Sequence, residues 1–128
     1  MKEKLINLLE QSYSPYSKFR VSAIVVMNDG TEFTGVNVEN ASYGASICAE
    51  RVAILKAVSS GYRKGDFKEL NVCCDSSKIS SCCFLCRQVI TEFFNKDSKI
   101  ILYNNKGETE EYLVNELCPK PFDEEDLR

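Results

Sequence analysis

Val21-Ser22-Ala23-Ile24-Val25-Val26-Met27 is followed by Asn28-Asp29-Gly30 and then by Thr31-Glu32-Phe33-Thr34-Gly35-Val36. The first run is apolar and β-branched, the last alternates, and the triplet between them has turn chemistry. The segment therefore reads as two antiparallel strands joined by a hairpin. Downstream, a polar loop over 37–46 leads into Cys48–Val58, where Ala49, Val52, Ala53, Ile54, Leu55, Ala57 and Val58 predict a largely buried helix stopped by Ser59-Ser60-Gly61. Upstream, Leu5, Ile6, Leu8 and Leu9 recur at helical spacing until Ser12, Ser14 and Pro15 break the pattern. Further on, Leu70–Cys74 reads as a strand, Cys86–Phe94 as a helix and Lys99–Tyr103 as a strand. A turn at 104–107, a short strand over Thr109–Leu113 and a helical turn at Asn115–Leu117 complete the pattern. Helix, strand, strand, helix, strand, helix, strand, strand predicts an α/β sandwich on a mixed sheet, as one domain over residues 1–128.

The 128 residues include 16 Lys and Arg against 19 Asp and Glu, a net charge of −3, with 44% hydrophobic and 27% charged residues. Such usage supports a buried core. No basic cluster offers the footprint that polymeric nucleic acid requires, so a small neutral ligand is the better match. No apolar run approaches the roughly 20 residues of a membrane span, and the N-terminus lacks the pattern of a signal peptide. There is no histidine, which removes the usual general base, the imidazole metal ligand and every Ser-His or Cys-His pair. The seven cysteines are an odd number, which argues against a disulfide scaffold and for a reducing, cytoplasmic setting.

Cys48, and Cys83 with Cys86, stand where polar loops become apolar helices, a position that favours the thiolate. A C-x-x-C pair plus Cys48 from a facing helix gives three ligands, which leaves one tetrahedral position of a zinc ion open to water. Glu50, two residues beyond Cys48, is placed beside that position to shuttle a proton. Arg51 is placed to hydrogen-bond the sulfurs and restore the electrophilicity that three thiolates blunt. Cys82 introduces a register ambiguity, since it could compete with Cys83 for the same role. Cys73, Cys74 and Cys118 read as core thiols, and Tyr13, Tyr16 and Phe19 recur every three residues like a packing stripe. Two other readings account for fewer of these residues. One is a structural zinc module closed by Cys82, Cys74 or Cys118; the other is a redox pair at Cys83 and Cys86.

Four segments in series carry a resemblance: Ser14-Pro15-Tyr16-Ser17-Lys18-Phe19, Gly35 through Tyr43, Cys48-Ala49-Glu50-Arg51, and Cys83-x-x-Cys86-Arg87-Gln88-Val89. In order and spacing the chain resembles the small, three-cysteine zinc cytidine deaminases. The resemblance implies a three-layer α/β/α sandwich with a mixed five-stranded sheet, and one zinc per chain on Cys48, Cys83 and Cys86. It implies hydrolytic deamination of cytidine and deoxycytidine at C4 in pyrimidine salvage, with Glu50 as proton shuttle; a related cytosine-bearing compound such as blasticidin S is the alternative substrate. Asn37 and Glu39 would hold the ribose 3′-hydroxyl. Phe19 and Phe122 would pack on the base, and the Ala49 N–H and Ser81 carbonyl would read its edge. It also implies a homotetramer with shared active sites, contributed to by Ala41-Ser42-Tyr43 and the tail. The family's usual Pro-Cys-Gly-Ala-Cys is replaced here by Cys82-Cys83-Phe84-Leu85-Cys86, which removes a fixed backbone angle and adds bulk beside the metal loop.

Overall fold

In the computed structural model, which describes Met1–Arg128, the hairpin forms β1 (Val21–Met27) and β2 (Glu32–Val36), paired antiparallel from Ser22↔Val36 to Val26↔Glu32. Gly30 closes the turn at φ +89°, a conformation that favours glycine. Helix α2 (Ala49–Ser59) then returns the chain, so that β3 (Phe67–Cys74) lies antiparallel on the other side of β1. Helix α3 (Phe84–Phe93) crosses over to β4 (Phe94–Tyr103), parallel to β3, and β5 (Thr109–Leu113) closes the sheet antiparallel to β4. The strand order is β2-β1-β3-β4-β5, a mixed five-stranded sheet.

Alternation along the central strands divides the core. Ala23, Val25, Leu70, Val72, Ile100 and Leu102 face α2, α3 and the short α4 (Val114–Leu117). Ile24, Cys73 and Tyr103 face the opposite side, where α1 (Lys2–Leu8) and the turn after it contribute Leu5 and Leu9. This makes the three-layer α/β/α sandwich, with a thin layer on the α1 side. Cys73 and Cys74 are core thiols bonded to backbone carbonyls, whereas Cys118 is only half-buried.

Three boundaries differ by two residues or more from the sequence expectation, the first being β3, which starts at Phe67 and not at Leu70. Phe94 opens β4 instead of ending α3, because its backbone turns extended and its ring packs 5.1 Å from that of Phe67. Helix α3 begins at Phe84, before Cys86, because the Cys83 side chain caps it by accepting from the Cys86 N–H. Nor do Tyr13, Tyr16 and Phe19 form a packing stripe. All three are exposed, on the loop between α1 and β1.

That loop carries the chain's one non-glycine residue at positive φ, Lys18 at 62°. A left-handed backbone costs an L-residue about 1–2 kcal/mol, while glycine costs about 0.5–1 kcal/mol in unfolded-chain entropy. Lys18→Gly should therefore stabilise the fold slightly, by about 0.5–1 kcal/mol. Urea unfolding checks this, and a lowered midpoint would mean that Lys18 makes contacts worth more than its strain.

Candidate active site

The two cysteine segments enter their helices in the same way. Cys48 precedes α2 and Cys83 precedes α3, each in extended conformation at the N-cap, so the backbone turns there and aims the side chain along the positive end of the helix. The facing helices bring Cys48 Sγ and Cys83 Sγ to 3.7 Å, and one turn into α3 places Cys86 beside them. The three sulfurs lie within 4.8 Å of one another. The Cys86 N–H donates to Cys83 Sγ at 3.4 Å.

Of the competing cysteines, none joins this group. Cys82 is buried with its thiol toward Glu50, Cys74 donates to the Lys78 carbonyl at 3.2 Å, and Cys118 lines a separate groove beside Phe94 and Pro119. The register therefore selects Cys83, and no fourth thiol closes the site as a structural module would need. A redox pair of Cys83 and Cys86 alone leaves the position of Cys48 unexplained.

The electrostatics suit a cation. A hydrogen bond from the Cys86 thiol, aided by Arg51 and Cys83, brings the Cys48 thiol down to about 5, while Cys86 is pushed up because it is the partner that keeps the proton. A proton shared between sulfurs occupies the place of a positive charge, and a coordinating metal deprotonates thiols outright. The donor set thus fits a soft, thiophilic ion with three protein ligands. Arg51 Nη2 donates to Cys48 Sγ at 3.5 Å, while its Nε is buried without a partner.

Glu50 is 5% exposed on the inner side of α2. Burial pushes its carboxyl up from the ordinary carboxylate range, the Cys48 charge adds to this, and the thiols of Cys82 and Cys86 oppose it. A buried acid with no cationic partner, beside a cluster of thiols, is suited to exchanging protons with a bound molecule.

The other candidate residues divide into two sets. Asn37 and Glu39 hold the preceding loop. Asn37 Oδ1 accepts from the Val21 N–H at 3.0 Å and its Nδ2 donates to the Phe19 carbonyl at 2.8 Å. The Glu39 carboxylate accepts from the N–H groups of Tyr16 and Ser17 and from the Ser17 hydroxyl, which hold it below the ordinary carboxylate range. Neither partnership was evident from sequence, although both residues retain spare donor or acceptor capacity. Phe19 is exposed on that loop, and the Ala49 N–H heads α2, where amides have no intrahelical acceptor. Ser81 sits before the metal-site cysteines, with its hydroxyl accepting from Arg87. Phe122 is exposed on the tail, tied to α3 through Gln88 Nε2, which donates to its carbonyl at 2.7 Å.

Residues 1–103 match the family described as the cytidine and deoxycytidylate deaminase zinc-binding region. The chain is 48% identical over 118 residues to a cytidine deaminase of Sporosarcina psychrophila, covering 92% of this chain and 85% of that one. It is 42% identical to that of Halalkalibacterium halodurans over 125 residues, covering 98% and 93% respectively. Among solved structures it is similar to the cytidine deaminase of Burkholderia pseudomallei, with a TM-score of 0.87 and 38% identity over 95% of this chain and 99% of the other.

Proposed function

The chain belongs to the cytidine and deoxycytidylate deaminase family, and from that membership we propose that it hydrolyses cytidine and deoxycytidine to uridine and deoxyuridine, releasing ammonia. The observation that carries this reading is the convergence of Cys48, Cys83 and Cys86 within 4.8 Å beside buried Glu50. The three cysteines would hold one zinc per chain. When bound, zinc supplies the Lewis acidity that makes water a nucleophile near neutral pH.

Glu50 handles the protons. Its carboxylate takes one from the attacking water and delivers it to N3 of the pyrimidine, then takes the second from the hydroxyl added at C4 and passes it to the amine; the C4–N bond breaks, C4–O becomes a carbonyl, and ammonia leaves. Arg51 draws charge from the sulfurs by hydrogen bonding, and a helix N-terminus points at each cysteine segment. For the substrate, Asn37 and Glu39 would meet the ribose 3′-hydroxyl, Phe19 and Phe122 the base, and the Ala49 N–H and Ser81 carbonyl its polar edge. A site with polar groups so committed rejects analogues that leave them unpaired.

Residues 1–128 would act as one catalytic domain in a homotetramer. Tyr43, Phe84 and Leu85, each at least 67% exposed, are apolar surface that a neighbouring copy would cover. No helix is long and apolar enough to cross a membrane. All seven cysteines are unpaired, which supports a reducing cytoplasm.

The test is metal content measured beside a cytidine assay on the purified protein. We expect one zinc per chain, loss of absorbance with release of ammonia, and loss of turnover on chelation with recovery on adding zinc back. Zinc without turnover of either nucleoside would overturn the reading, and turnover of another cytosine-bearing compound alone would correct the substrate. On sizing, a monomer would remove the tetramer from it.

A further inference from the structure

Arg87 directs its whole head group at the segment that leads into the metal site. Its Nε donates to the Cys82 carbonyl at 2.8 Å, its Nη2 to the Ser81 hydroxyl at 2.8 Å and its Nη1 to the Leu117 carbonyl at 2.7 Å. The guanidinium also lies over the Phe84 ring, 4.4 Å from its centroid. One side chain thus grips the two residues before Cys83 and the residue after it, and anchors them to the end of α4. All three hydrogen-bond acceptors are neutral oxygens, so this is a geometric clamp and not an ion pair.

The segment needs one. Ser81, Cys83, Phe84 and Leu85 are all exposed, and only the Cys82 side chain is buried. No proline restricts 80–86, and the Cys82 N–H makes no hydrogen bond within the chain. Cys83 itself is held to α3 by its cap and by the Arg87 N–H, which donates to its carbonyl at 2.9 Å, but without the clamp the backbone leading into it would be tied down chiefly by one buried thiol.

We propose that Arg87 is a positioning residue, which fixes the Ser81–Cys83 backbone so that the Cys83 sulfur meets the other two and the Ser81 carbonyl faces the substrate. The inference rests on the zinc deaminase reading above. It requires the fork of a guanidinium, because lysine offers a single charged point that cannot reach three separated oxygens. It also makes a specific claim about compensation. Proline at 82 would fix φ by covalent means; the N–H it removes bonds to nothing, although the buried thiol that faces Glu50 goes with it, so it should replace part of what Arg87 does.

The experiment compares the zinc-loaded parent with Arg87→Ala, Arg87→Lys, Cys82→Pro and the double variant Arg87→Ala/Cys82→Pro. It reads zinc release to a chromogenic chelator, KM and kcat for cytidine, and circular dichroism. Loss of a group that orients a metal ligand typically weakens the site by about 10–100-fold, so Arg87→Ala should release zinc at least about tenfold faster, with a rise in KM larger than the fall in kcat. Arg87→Lys should do the same, and adding Cys82→Pro to Arg87→Ala should slow release at least about threefold. Release and KM within about twofold of the parent in a folded Arg87→Ala would overturn the inference. So would a double variant no better than Arg87→Ala when Cys82→Pro alone holds zinc as the parent does; where Cys82→Pro alone releases zinc faster, the loss of the buried thiol accounts for it and Arg87→Ala and Arg87→Lys decide. If Arg87→Ala does not fold, Arg87→Lys decides by the same criteria. A parent without zinc or turnover would overturn the deaminase reading first, and with it the role given to Arg87.

Discussion

Glu50→Gln should leave the protein folded with one zinc per chain and lower kcat by about 10³–10⁴-fold, with KM for cytidine little changed. The substitution keeps the volume and one acceptor oxygen at a buried position, so packing on the inner face of α2 is preserved. What it removes is the ability to take up a proton and give it back, which positioned acid–base groups convert into about 10²–10⁴ in rate. Glu50 serves more than one transfer in the proposed cycle, which places the loss at the upper end. The thiol group of Cys48, Cys83 and Cys86 does not include Glu50, so metal content should not follow activity. Stopped assays for uridine and metal analysis on the same preparation check both halves. A variant that loses zinc along with turnover would make Glu50 a structural support of the site. One that keeps more than a tenth of the parent's kcat would move the proton transfer to another group, and Cys82, which faces Glu50, is the nearest alternative.

How far the sequence discloses this arrangement depends on the range of the forces involved. The hairpin and both long helices follow from period and turn chemistry within a few residues, and they lie where those patterns put them. The extension of β3 back to Phe67 and of β4 back to Phe94 arises from pairing of Phe67 with Met27 and Phe94 and from packing of its ring on Phe93 and Phe94, partners that no local window contains. The strand order, with β1 between β2 and β3, is likewise fixed by which faces bury together and not by any single segment. At the site, spacing alone narrows the ligands to Cys48, Cys86 and one of two adjacent cysteines. The choice between Cys82 and Cys83 is made by the N-cap, since the capping residue must turn its side chain toward the helix end while its neighbour turns inward. The commitments of Asn37 and Glu39 to the loop of Tyr16–Phe19 stay hidden because their partners are mostly backbone amides and carbonyls, which every residue carries. Arg87 had a visible signal in its place directly after Cys86, but its acceptors, again mostly backbone carbonyls, did not.

Gly35→Ala, a change of one methyl group in β2, should cost about 3 kcal/mol of stability and lower turnover by about 10²-fold in whatever protein remains folded. Gly35 is buried opposite Ala23 of β1, directly beneath the first turns of α2. A Cβ built there falls 2.6 Å from the backbone nitrogen of Ala53, closer still to the Ala49 carbonyl oxygen, and 3.1 Å from the Ala53 Cβ. The close neighbours are helix backbone, which cannot swing aside as a side chain would. The strain must therefore be relieved by lifting α2 from the sheet, and overpacking of this kind costs about 1–3 kcal/mol, or more where backbone has to move. The same shift carries Cys48 and Glu50, which sit at the start of that helix, and a displacement near 1 Å at reacting groups is enough for about 10²-fold in rate. Urea unfolding followed by fluorescence or circular dichroism gives the first number, and turnover per folded molecule gives the second. Ala53→Gly in the same chain separates the causes. It removes the 3.1 Å contact but leaves both backbone contacts, so it should recover little. Full recovery would mean that the helix packs against β2 through its side chains, and that the glycine is not what lets the metal-binding helix approach the sheet.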